Sequence, residues 1–384
     1  MDATTLVTPP YVAGPLRLEP FRGLMLAPAR VGNPSTGRAF ARPYKDVSAR
    51  LERWEQRGFV RQDEEPALYV HEYSSAGITV RGLVGALDVS RRATRPEDRA
   101  VLPHEGIHPA QADDLADRMA AMELNPAPIL LVHHGTVALQ RAVSGATAGP
   151  PQHEFTDRSE QEHRIWALRE PDLLAGIADE LAGSRALIAD GHHRYAAYLR
   201  LQQRHTSTGG QGRPATDLGL AMLVDQGATP LFLGPIHRTL AGTSLEDLCN
   251  AADSLGLTYR EQTQAAAVSA LSPSRLAATD GERWAVLSLS LPADVAAVEA
   301  LHRQIVPALP HGPTAISYHH TVDDALRQAS RESISVLMPA PAVDLVIRVA
   351  EADRLLPEKA TSFQPKPSLG VLIRSLRDEA SGPS

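Results

Sequence analysis

The run Asp190-Gly191-His192-His193-Arg194 sets a carboxylate, a glycine, two imidazoles and a guanidinium side by side. It follows an apolar stretch over residues 186–189 that reads as a strand, and it precedes a helical pattern over 195–203. The start of a helix carries unpaired backbone N–H groups and about half a positive charge, which favours an anion. Gly191 lets the backbone turn sharply and approach a ligand closely. Arg194 offers a planar fork matched to phosphate oxygens, and His192 and His193 add donors or metal ligands. Asp190 could orient the imidazoles or hold a magnesium ion beside phosphate charge. The bland alternative is an N-capping Asp190, a turn glycine and two solvated histidines. Five polar or special residues straight after a buried-looking strand argue against it, because ligands of α/β folds collect at the carboxyl ends of strands.

Two further clusters have suitable chemistry. Pro103-His104-Glu105 puts a candidate general base or metal ligand after a strand-like segment. Pro357-Glu358-Lys359-Ala360-Thr361, with Gln364-Pro365-Lys366-Pro367, places Lys359 and Lys366 on a proline-held loop from which either could reach a phosphate. Both clusters could equally be charged surface loops. The pairs His133-His134 and His319-His320, with His237, lack the i, i+4 spacing and intervening Glu of a zinc protease. Neighbouring strand residues also point to opposite faces, so each pair offers one ligand at most. Gly209-Gly210-Gln211-Gly212 lacks the Gly-Lys-Ser/Thr ending of a phosphate-binding loop and reads as a mobile linker within residues 206–213.

The elements that must position these residues read as a mixed α/β chain. Turn residues cluster at Asn33-Pro34-Ser35-Thr36-Gly37, and a helix is predicted over 48–57 with Ser48 as its N-cap. Alternating strands at 68–73 and 78–87 flank a turn, a helix follows over 113–122, and an apolar strand covers 128–133. The breaker-rich residues 144–151 read as a loop or boundary, followed by a strand at 163–168 and a helix over 171–181. Strands are expected at 219–224, 231–233, 284–291 and 334–338. The expected division is an N-terminal α/β region (1–150), a core carrying the central motif (151–240) and a C-terminal α/β region with the Lys/Pro-rich closing loop (241–384). A chain of 384 residues has room for two or three domains.

Composition narrows the function classes. Hydrophobic residues make up 43% and charged residues 22%, the mix of a globular protein. The net charge of -7 argues against a broad nucleic-acid surface while leaving room for a small basic pocket. A single cysteine, Cys249, excludes internal disulfides and thiolate zinc centres. The first ten residues show no basic-then-apolar leader and no apolar run is long enough to span a bilayer, so a cytoplasmic protein without a membrane partner is expected.

With these residues in view, the chain resembles the domain-of-unknown-function 1015 family almost end to end. The resemblance is carried by Pro20-Phe21-Arg22-Gly23, Pro43-Tyr44, Asp46-Val47-Ser48, Pro103-His104-Glu105 and residues 125–129. It continues through Ala189-Asp190-Gly191-His192-His193-Arg194-Tyr195 and closes with residues 359–366 and Gly370. Lys45, Ala196, Ala197, Ala360 and Gln364 depart from the family pattern. The central block is also similar to the phosphate-binding motif of the ParB/sulfiredoxin-like superfamily, which includes free serine kinases. That similarity implies a ParB/sulfiredoxin-like nucleotide-binding core, with Gly191, His192, His193 and Arg194 on the phosphates of ADP or ATP and Asp190 near Mg2+. It implies a kinase of serine or a similar hydroxylated metabolite. The residue chemistry above adds Lys359 and Lys366 as candidate phosphate ligands and Glu105, His104 and Asp190 as catalytic candidates. The alternatives are a nucleotide-binding regulatory module without turnover, and a metal-dependent hydrolase built on His104, Glu105, His192 and His193.

Overall fold

The computed structural model of the chain describes residues 6–32, 47–206 and 214–377. The Asn33 to Gly37 turn cluster, Pro43-Tyr44, Lys45, Asp46 and the Gly-rich linker residues 207–213 lie outside the described residues, as does the Ser48 side chain. The chain divides into two compact units. The first comprises residues 1–103, 107–231 and 365–384, and the second comprises residues 104–106 and 232–364. Residue 150 lies inside the first unit, and the longer segment of the second unit starts at Phe232, before residue 240.

The first unit is built on a nine-stranded mixed sheet. Its central neighbours run Val101–Leu102, Ala186–Asp190, Ile129–His133, Leu218–Asp225, Ile78–Asp88 and Leu68–Ser75. Leu218–Asp225 lies parallel to Ile129–His133, whereas Ala186–Asp190 runs antiparallel to it. All five residues of Ile129–His133 are buried, which explains its unbroken apolar sequence where an edge strand would alternate. Helices Pro109–Met122, Val137–Ala146, Pro171–Ala182 and His192–Thr206 flank the sheet strands in sequence. Their apolar faces join one core with the strands, including Met119, Leu139, Leu181, Tyr195 and Tyr198 around Ile129, Leu131 and Ile188. A separate four-stranded sheet pairs Val60–Gln62, Gly23–Leu26, Ile373–Ser375 and Leu124–Asn125.

The second unit carries a six-stranded antiparallel sheet ordered Thr258–Gln262, Trp284–Ser288, Arg275–Thr279, Ser333–Leu337, His237–Ala241 and Ala315–His319. A two-stranded ribbon, Phe232–Gly234 with Ser362–Gln364, joins it. The mixed α/β class with several sheets and flanking helices is thus the one the sequence led us to expect. Among the described residues, no helix is long and apolar enough to cross a membrane.

Boundaries shifted where the pattern was weakest. The early helix begins at Val47 rather than after Ser48. The helix expected from Asp113 starts one turn earlier, behind Pro109, a residue suited to a first turn. Residues 144–146, expected in a loop, close the helix Val137–Ala146. The helix expected from Tyr195 begins at His192, so both histidines and Arg194 belong to its first turn.

Candidate functional site

The central motif occupies a built strand-to-helix corner. The pairing register shifts between Ile188 and Asp190, an irregularity of the kind that re-aims a side chain at a strand end. Gly191 follows with φ +94°, a conformation that side chains other than glycine adopt only with strain. A Cβ there would lie 3.0 Å from Arg194 Nε and 3.1 Å from Ile129 Cγ2, so the position also lacks room. The Tyr195 N–H then donates to the Gly191 carbonyl at 2.8 Å and closes the first helical turn. Tyr195 anchors that helix: its buried hydroxyl donates to the Pro10 carbonyl (2.8 Å) and accepts from the Val12 N–H (3.1 Å). The Tyr198 hydroxyl, equally buried, donates to the Leu220 carbonyl (3.1 Å).

Asp190 stands between two cations. Its Oδ2 accepts from Arg194 Nη2 at 2.5 Å and its Oδ1 from Lys366 Nζ at 2.6 Å. Arg194 Nη1 also donates to the Pro128 carbonyl at 2.6 Å, which fixes the plane of the guanidinium. Burial alone would raise the Asp190 carboxyl, but Arg194, Lys366 and His192 outweigh it and hold the group below the usual carboxylate range. Two positive side chains against one carboxylate leave one unit of positive charge at a helix start, a combination that favours an anion.

The two histidines of the motif lie in different surroundings. Burial pushes His192 down to about 3, so its ring is neutral. His193 accepts the His108 N–H on Nε2 at 3.0 Å, and the two rings stack at 5.9 Å. An imidazole that accepts there cannot donate to phosphate through the same nitrogen.

Lys366 is brought to Asp190 by side chains the sequence reading did not single out. Tyr73 donates to the Pro365 carbonyl (2.7 Å), and Gln161 Nε2 donates to the Lys366 carbonyl (2.8 Å). Gln161 Oε1 accepts from the Ser368 N–H and hydroxyl. Beneath this strap runs a buried chain in which His163 Nε2 meets Asp157 Oδ2 at 3.1 Å and His163 Nδ1 meets His71 Nε2 at 3.0 Å. Asp157 also accepts the backbone N–H groups of Ser159 and Gln161, holding the Gln161 turn in place. His71 and His163 lie on strands that carry other polar residues too, Glu72 on one and Glu162 and Arg164 on the other, so no local signal set them apart.

His104, Glu105 and Lys359 belong to the second unit. Glu105 Oε1 accepts from the Ala360 N–H (3.2 Å), the Thr361 N–H (3.3 Å) and the Thr361 hydroxyl (3.2 Å). With that hydroxyl donating to Glu105, His104 Nε2, 2.8 Å away, is its donor partner. Lys359 sits at φ +54° with its carbonyl held by Arg238 Nη2 at 2.8 Å. Arg238 is itself buried, and burial lowers it to about 10. Burial raises the Glu105 carboxyl, more than the Thr361 and Ala360 donors and Lys359 lower it. Glu105 and Lys359 are thus neighbours, as are Asp190, Arg194 and Lys366.

A resident metal does not fit the donor set expected for it. Both oxygens of Asp190 already carry a cation. Among the described residues, no group of three or more His, Cys, Asp or Glu side chains is placed to hold a metal ion.

No curated protein matches the chain. Solved structures similar to it include SbnI with a C-terminal truncation from Staphylococcus aureus, at 12% identity and TM-score 0.40, covering 73% of this chain and 87% of that one. A free serine kinase in complex with AMP is similar at 14% identity and TM-score 0.38, covering 71% and 88%. A conserved hypothetical protein from Pyrococcus furiosus is similar at 14% identity and TM-score 0.37, covering 73% and 93%. The family model for proteins of unknown function DUF1015 matches residues 20–303, and the chain belongs to that family.

Proposed function

We propose that Asp190, Gly191, Arg194 and Lys366 form the phosphate-binding site of a nucleotide, ADP or ATP, in an enzyme that phosphorylates a small hydroxylated metabolite such as serine. The observation that carries this reading is the Arg194–Asp190–Lys366 bridge at a helix start opened by a left-handed glycine. Asp190 keeps two cations apart and oriented, each on its own oxygen. A phosphate group presents the same oxygen acceptors with more charge, so it competes for Arg194 and Lys366 and gains the helix-start N–H groups as well. Phosphoryl transfer depends mainly on positioning and charge neutralisation, which these groups supply. Glu105 is the proposed general base on its own chemistry. A carboxylate whose proton affinity is raised by burial is a stronger base than a solvated one.

Titration calorimetry of the full chain with ADP, ATP and AMP tests the site, and mass spectrometry of serine incubated with each nucleotide and magnesium tests the chemistry. Native protein is expected to bind nucleotide and form O-phosphoserine. Arg194→Ala, which removes charged hydrogen bonds of about 1.5–3 kcal/mol, is expected to weaken binding by roughly 10- to 150-fold. Absence of nucleotide binding by the native chain rejects the proposal. Binding without product under any nucleotide assigns the site to a regulatory module instead.

A further inference from the structure

The first unit has a second polar centre, at the other end of the strand that borders the Asp190 corner. Asp190 pairs with Leu130 near the start of Ile129–His133, whereas His133 closes that strand beside Asp225. Three residues of strand separate Leu130 from His133, about 10 Å at 3.3 Å per residue. Here the two parallel strands Ile129–His133 and Leu218–Asp225 both end, and the helix Val137–Ala146 follows. Between that helix and the strand ends lies a cleft of about 60 Å³. One water needs roughly 10–15 Å³ measured in this way, so the cleft admits a molecule of several heavy atoms.

The hydrogen-bonding atoms of the charged groups around the cleft already have partners. Asp225 accepts from the Gly135 N–H (3.1 Å), the Gly227 N–H (2.8 Å) and Gln140 Nε2 (2.7 Å). Arg81 donates twice to Glu72 Oε2 (2.9 and 2.6 Å), and the Thr229 hydroxyl is spent on the Arg81 backbone. The remaining walls include Leu139, Val143 and Leu223. Among the buried polar groups of the lining, His133 is left over: it is 4% exposed, and its buried Nδ1 has no hydrogen-bond partner. A buried polar atom in that state costs stability unless something meets it.

We infer that this cleft binds a small neutral molecule with an apolar body and one hydroxyl, which pairs with His133 Nδ1 while the body lies against Leu139, Val143 and Leu223. Asp225 is held by three neutral donors and Arg81 by Glu72, which leaves His133 as the polar group a ligand meets. Burial lowers His133 to about 4, so the ring is neutral at pH 7. A hydroxyl can donate to it or accept from it, and so suits either tautomer. The inference is independent of the phosphate site, and nucleotide is left out of its test.

The test follows the His133 imidazole nitrogens by 15N NMR in the full chain. Straight-chain alcohols from propanol to hexanol are added, with butyrate and butylammonium as charged counterparts. The alcohols are expected to move the Nδ1 resonance saturably, and affinity should rise with chain length until the cleft is full. Val143→Phe, which fills the cleft, should abolish the effect; His133→Phe should weaken alcohol binding about tenfold by removing one hydrogen bond, followed on backbone amides. If V143F does not fold, Val143→Ile should weaken hexanol more than propanol. The inference is overturned if no alcohol moves His133 saturably, if only the charged probes do, or if the cleft-filling variant binds as the native chain does. A spectrum showing only exchange with water at Nδ1 overturns it equally.

Discussion

Asp190 and Glu105 are both partly buried carboxylates at chain corners, yet the protein treats them in opposite ways. Burial raises both. Around Asp190, two cationic side chains and His192 overcome it and keep the group ionised. Around Glu105, the N–H groups of Thr361 and Ala360, the Thr361 hydroxyl and Lys359 fall short, and the carboxyl stays raised. Cations in direct contact favour the charged form more strongly than neutral donors do. The same residue chemistry is therefore shifted down in one unit and up in the other.

The largest effect that could break this contrast is expected at Gly191. Gly191→Ala puts a Cβ 3.0 Å from Arg194 Nε at φ +94°. It should cost about 1–3 kcal/mol in urea unfolding and displace Arg194, with nucleotide binding falling alongside. Unchanged stability and affinity would mean that the corner is not constrained as described.

A smaller effect sharpens the contrast through its sign. Asp190, lowered in the folded state, contributes stability that is present above its unfolded value of about 3.9 and lost as pH falls through the folded value. Glu105, raised in the folded state, contributes stability that is present below about 4.3 and lost as pH rises through its folded value. Unfolding free energies of native protein, Asp190→Asn and Glu105→Gln across the acid range should show this. The native advantage over D190N should grow with pH, and the native advantage over E105Q should shrink. Equal signs would remove the distinction between the two carboxylates.

The smallest stability effect is expected at Lys366, whose side chain is 46% exposed. Lys366→Ala should cost under about 1 kcal/mol of stability, as exposed ion pairs do, while lowering nucleotide affinity measurably. A stability loss with no affinity loss would make Lys366 a structural strap alone.

The sequence marked the corner because its signals are local. An apolar strand, a glycine and a helical pattern determine their own conformations, and Asp190 to Arg194 is legible on that basis. Even there, the helix start was read three residues late. His192, His193 and Arg194 add nothing to apolar periodicity, although the Tyr195 N–H to Gly191 carbonyl bond places them within the turn.

Amino-acid order by itself determined the mixed α/β class and the buried central strands, and it marked the residues proposed to bind an anion. Only the tertiary structure decided which residues meet. Lys366 lies 176 positions from Asp190 and reaches it through a strap tied by Tyr73 and Gln161, side chains with no local signature. It also decided that His192 is buried and neutral, that His193 accepts from His108, and that Glu105 answers to Thr361. Backbone conformation follows from neighbours in sequence, whereas protonation and pairing follow from burial and from partners that only folding brings near.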